Sequence, residues 1–141
     1  MVSDAAQLSD AIPRIIAYWR EGMRAMRDSN PRAGERGRRE HALVSAVIAV
    51  AVVGRDDAAA HSALDVAARA YGALPRANRP DPMDLAREFG LLRHAICRCV
   101  QEQQADEREQ FHFVMALDIA ITLAVQGTLR GVYSPELDRA K

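Results

Sequence analysis

Aromatic side chains are scarce in this chain: seven in 141 residues, a single Trp among them. A core with so few rings must be filled by Ala, Val, Leu, Ile and Met, and Ala and Leu are strong helix formers. Net charge is absent too, with 19 basic residues against 19 acidic. That balance argues against partners held by whole-surface electrostatics, namely nucleic acid or an anionic membrane. Lysine is nearly missing; Lys141 is the only one, and every other cation is Arg. Cysteine occurs twice, at Cys97 and Cys99. Two apart on a helix, their Cβ atoms point to nearly opposite sides, which excludes an internal disulfide. Long apolar runs are lacking as well. The longest, residues 42–53 with only Ser45 interrupting, falls short of the roughly 20 residues of a membrane span. Nothing has the pattern of a signal peptide. These absences predict a soluble protein of a reducing cytoplasm, with no membrane association.

What is present is helical periodicity over a length sufficient for one domain with a real core. A first helix is expected over residues 10–28, with Pro13 tolerated in its first turn. Its buried face would be Ile12, Ile15, Ile16, Trp19, Met23 and Met26. Ser29-Asn30-Pro31 ends it, and the Gly- and Arg-rich stretch that follows predicts a mobile loop at 29–37. A second helix, 38–53, is apolar nearly all round and is expected to be the most enclosed, with Gly54 as its C-terminal cap. Asp56 or Asp57 would cap a third helix running to Tyr71. It carries Leu64 and Val66 among many Ala, small enough to let neighbouring backbones approach closely.

Residues 73–82 hold three Pro and read as a loop. Asp81-Pro82-x-Asp84 is a strong start signal for a fourth helix, 82–104, burying Leu85, Phe89, Leu92, Ile96 and Val100. A fifth, 107–133, would bury Phe111, Val114, Leu117, Ile121, Val125 and Leu129, with Ser134-Pro135 closing it. No alternation typical of strands and no internal repeat is seen. The expected fold is all-α: an antiparallel bundle of four to five helices in a single domain, 1–141, with tails at 1–9 and 134–141.

Chemistry-bearing patterns are few. A di-iron bundle needs two Glu-x-x-His pairs and two further Glu; only Glu109-x-x-His112 occurs, and it reads as polar residues on an exposed first turn. His94 and Cys97 stand three apart, but two ligands do not make a metal site. His94 and His61 lie mid-helix, where a histidine phosphotransfer protein places its nucleophile, yet no Lys-Gly pair follows either. Hydrolase motifs and Gly-rich phosphate cradles are missing. The basic run at 32–39 is broken by Glu35 and has no interleaved aromatics, as in a solvated loop. Asp118 stands out as the only charge in a long apolar window, FHFVMALDIAITLAV. Buried there, it would need a partner. Arg93 on the preceding helix is the candidate, with Glu88 extending the network.

Around these residues the chain resembles the RsbRD N-terminal-type domain, the helical module at the front of RsbT co-antagonist proteins and of many bacterial sensor kinases. The matching segments are Glu88-Phe89-Gly90-Leu91-Leu92-Arg93-His94-Ala95-Ile96 and, on the last helix, Phe113 followed five residues later by Asp118. Trp19, near the end of the first helix's apolar stripe, also fits. The resemblance implies a sensory or regulatory domain of signal transduction, without catalytic residues, metal or cofactor. Its ligand or partner contacts would be Glu88, Phe89, Leu92, Arg93, His94 and Asp118, with Arg93–Asp118 a structural ion pair. Such domains sit ahead of an output domain, and none is seen up to Lys141. The chain is therefore expected to act on another signalling protein, and to be able to pair with a copy of itself.

Overall fold

A computed structural model describes residues 5–26, 34–53, 56–75, 81–103 and 106–133 (the side chains of 5–7 and 25–26 excepted). Among them there are six helices and no strand: α1 (Ala5–Asp10), α2 (Ile12–Met26), α3 (Glu35–Val53), α4 (Ala58–Gly72), α5 (Pro82–Glu102) and α6 (Glu107–Tyr133). The all-α expectation holds, with six helices where four to five were expected. The additional one is α1, which occupies part of the expected N-terminal tail. Leu8 is fully buried and anchors it. Pro13 explains why α1 and α2 are separate: it has no N–H to donate to Ser9, and its ring would strike that carbonyl in a continuous helix. A turn at Ala11, whose N–H reaches the Leu8 carbonyl at 3.1 Å, joins the two.

Helix starts follow from short acidic caps. Asp57, not Asp56, caps α4 by accepting from the Ala60 N–H at 2.9 Å. Asp81 accepts from the Asp84 N–H at 2.8 Å and Asp84 accepts in return from Asp81, a capping box with Pro82 in the first turn. Asp106 does the same for α6 through the Glu109 N–H. At α3 the helix begins at Glu35, three residues before the expected start, so 35–37 are helical and not loop. Glu35 accepts from Arg38 at 2.7 Å and Arg39 at 2.6 Å. These bonds hold its carboxyl below the usual carboxylate range, and a carboxylate in a first turn favours the helix dipole. The expected loop residues 29–33, the Gly54 cap, the Ser134-Pro135 stop, the C-terminal tail and the Met26 side chain lie outside the described residues.

One buried apolar cluster draws on all six helices. Its centre is aromatic: Trp19 of α2, Tyr71 of α4 and Phe89 of α5, with ring centroids 5.5–6.3 Å apart. The Trp19 indole donates to the Glu88 carbonyl at 2.9 Å, so the only Trp is both packed and satisfied. Helix α2 runs antiparallel to α5, Trp19 facing Glu88 and Arg14 facing Glu102. The α5 face is as expected: Leu85, Phe89, Leu92, Ile96 and Val100 are all buried. Helix α3 packs on α1, α2, α4 and α6, yet it is not enclosed all round, because Ala42, Ser45, Ala49 and Val53 form an exposed strip.

Helix α6 departs most from expectation. Its buried residues are Phe113, Leu117, Ala120, Ala124, Gly127, Thr128, Gly131 and Val132. Of the expected set only Leu117 is buried; Val114, Ile121, Val125 and Leu129 are half-buried, and Phe111 is 63% exposed. The cause is its contact with α4. A Cβ on Gly131 would collide with the Arg69 carbonyl, one on Gly72 with the Thr128 carbonyl, and one on Gly127 would lie 2.7 Å from Ala68 Cβ. The two backbones therefore touch, as the Ala-rich α4 sequence allows, and this contact sets the rotation of α6. Phe113, Leu117 and Val132 apart, its larger apolar residues are turned toward the surface.

Candidate functional site

The two sequence segments around Arg93 and Asp118 meet at one point. Arg93 Nε of α5 donates to Asp118 Oδ1 of α6 at 2.5 Å, and this bond keeps the guanidinium further above its ordinary value. The expectation of burial is corrected: the side chains are 41% and 52% exposed. Because α6 turns its small residues inward, Asp118 reaches the surface together with Phe111 and Met115. A pair so exposed contributes less than about 1 kcal/mol, so it marks where α5 and α6 meet without holding them there. Thr122, one turn on, donates its hydroxyl to the Asp118 carbonyl at 2.9 Å.

The other expected contact residues divide by depth. Phe89 and Leu92 are in the core and serve packing. Glu88 is 2% exposed, and its backbone carbonyl takes the Trp19 N–H. It stands five residues before Arg93, about 140° round the helix, so it is not an extension of the Arg93–Asp118 pair. His94 is exposed. One turn before it, Gly90 faces open space, with nothing within 4 Å of where its Cβ would be. Arg87 and Arg98, also exposed, lie on the same side of α5. The surface set is thus Arg93, His94 and Asp118, with Gly90 as a gap beside them. His61 differs: it is half-buried, and its Nε2 is enclosed without a hydrogen-bond partner.

For metal or thiol chemistry the arrangement offers little. Among the described residues no three His, Cys, Asp or Glu side chains are grouped to hold a metal ion. His112 is exposed and lies edge-on to the Phe111 ring. Burial pushes the Cys97 thiol up; it does the same at Cys99, where the hydrogen bond from Arg14 pulls only partly the other way. Both thiols are thereby kept protonated and weakly nucleophilic at neutral pH.

Two polar clusters went unread in the sequence. Glu40 of α3 is fully buried. Its Oε1 accepts from Arg20 Nε at 3.0 Å and Nη2 at 2.5 Å, and its Oε2 from Arg36 Nε at 3.3 Å. The signal was available: Glu40, Leu43, Val44 and Val47 are in helical phase, so the acid belongs to the buried stripe. The second cluster joins α2 to α5. Tyr18 donates its hydroxyl to Glu102 at 2.9 Å, which raises the phenol above its ordinary range. The Arg98 guanidinium lies 3.9 Å from the Tyr18 ring centroid.

Among the described residues one helix, Glu107–Tyr133, is long and apolar enough to cross a membrane by length and composition, and 33% of its most apolar window is buried in the fold. Compared with family models, with curated proteins and with solved structures, the chain matches none.

Proposed function

We propose that this all-α chain is an antiparallel helical bundle that works as a regulatory or sensory module of bacterial signal transduction. In this reading it is cytoplasmic and of the RsbRD N-terminal type, acting through contact with another signalling protein or a small ligand and without catalysis of its own. The supporting observation is the Arg93–Asp118 bond: the residues behind the resemblance come from separate helices and share one accessible patch with His94. A half-exposed pair adds little to stability, so its charges are free to serve recognition. The test is affinity capture from lysate of the source cells with the full chain and its Arg93→Glu variant. The wild type is expected to retain a kinase or a protein with a sulfate-transporter-anti-sigma-like domain, and Arg93→Glu to lose it with helix content unchanged. Retention of no such protein, or of the same proteins by both, overturns the reading.

A second reading, phosphotransfer through His94, is favoured by one feature: the imidazole stands exposed mid-helix beside the Gly90 gap, flanked by Arg87 and Arg98. His61, with an enclosed Nε2, is less suited to approach by a partner. Incubation with a phosphorylated response regulator should then leave acid-labile label on the chain that is lost in His94→Gln. No label removes this reading and leaves the first standing.

A further inference from the structure

The helices do not pack on one another evenly. Helices α3, α4 and α6 pack closely together, and α4 and α6 meet backbone to backbone at Gly72 and Gly131. Arg39 of α3 donates to the Ala70 carbonyl of α4, and Arg130 of α6 donates to Asp65 of α4 at 2.9 Å. Helices α2 and α5 form a second group, tied by Trp19–Glu88, by Tyr18–Glu102 and by Arg14 facing Glu102 at 3.5 Å. The groups meet along two edges, α2 on α3 and α5 on α6, with the Tyr71 ring of α4 set against Trp19 and Phe89. We propose that α2 and α5 open together from α3, α4 and α6, as one cooperative unit, before the chain as a whole unfolds.

The character of the contacts selects this boundary. Where α4 and α6 meet, carbonyls lie where a Cβ would be, and Ala and Gly lose no side-chain freedom on packing. Between the two groups the polar ties are ionic. Arg93–Asp118 crosses the α5–α6 edge and is half-exposed, so it adds little. Arg20–Glu40 crosses the α2–α3 edge, and taking Glu40 out of water offsets the attraction. Closure therefore rests on apolar contact, with Tyr71 against Trp19 and Phe89 at its centre. The ties between α2 and α5 are internal to the pair and need not break when it leaves, so the two helices leave together. Opening bares Trp19, Tyr71 and Phe89, an aromatic surface that the closed chain hides. Because Arg93–Asp118 lies on the boundary, a partner that takes either side chain would favour the open form. That consequence, unlike the division itself, rests on the regulatory reading.

The test is native-state hydrogen exchange of the full chain in low urea, read by mass spectrometry. Mid-helix amides of α2 and α5 are expected to share one opening, with a urea dependence smaller than that of global unfolding. They should exchange at least about tenfold faster than the slowest amides of α3, α4 and α6. Arg20→Met should accelerate exchange in α2 and α5 alike, by about a hundredfold, although the Arg20 bonds are to α3. Arg130→Met breaks the α4–α6 tie to Asp65. It should accelerate the slowest amides of α3, α4 and α6 by up to about fivefold and leave α2 and α5 unchanged. Separate openings for α2 and α5 overturn the proposal, as does one opening shared by all the helices. So does an Arg20→Met effect confined to α2, or an Arg130→Met effect that reaches α2 and α5. If Arg20→Met does not fold, the wild type and Arg130→Met decide. Exchange is read without any partner, so failure of the capture experiment leaves this division standing, and the reverse holds.

Discussion

Arg20→Met is expected to destabilise the chain by about 3 kcal/mol, because it leaves a buried carboxylate short of two of its charge-assisted hydrogen bonds. Glu40 has no exposed surface. Without Arg20 it retains, among the described residues, only the longer 3.3 Å bond from Arg36. Removing the acid should cost less than removing the arginine, since Arg20 is 40% and Arg36 19% exposed and both can turn toward water. Glu40→Met, similar in length and apolar, is therefore expected to lie within about 1–2 kcal/mol of wild type. Urea titrations of the three proteins decide the matter. Equal losses for Arg20→Met and Glu40→Met would mean that the cluster acts through packing alone. Against a total stability of about 5–15 kcal/mol, a loss of the expected size is large.

Gly131→Ala, like Gly72→Ala on the other side of the same contact, should be among the most damaging single methyl additions to the described residues. The added Cβ would meet the Arg69 carbonyl carbon and oxygen. A helix backbone hydrogen-bonded along its length cannot yield there as a flexible side chain would. Overpacking usually costs about 1–3 kcal/mol; with backbone on the receiving side, about 3 kcal/mol or more is expected. Gly90→Ala is the control. The same substitution, also within a helix, meets nothing within 4 Å and should raise stability by about 0.5–1 kcal/mol through helix propensity. Thermal melts of the pair should move in opposite directions. A Gly131→Ala protein as stable as wild type would mean that α4 and α6 do not touch backbone to backbone.

Where local chemistry decides, the sequence was readable. The start of α5 follows from Asp81-Pro82-x-Asp84, and its buried face from one unambiguous apolar stripe. Helix α6 shows the opposite case. It carries two stripes, one of large residues and one in which Ala and Gly accompany Phe113, Leu117 and Val132, and following size selects the wrong one. Small residues gain their packing energy only when another backbone comes close, and that closeness depends on α4, more than 50 residues earlier in the chain. The partners Arg93 and Asp118 were legible from charge and spacing, but their exposure was not, since it follows from the rotation of α6. Glu40 was overlooked because a charged residue near a helix start reads as solvated, although its phase with Leu43, Val44 and Val47 places it inside.

The single tryptophan gives this molecule a built-in optical reporter. Its indole N–H ends on the carbonyl of Glu88, the residue that opens the segment leading to Arg93 and His94. A tilt or slide of α5 against α2 changes this bond and the ring environment supplied by Tyr71 and Phe89. Emission from Trp19 is therefore expected to register, without a label, any shift of α5 against α2 that occupancy outside produces.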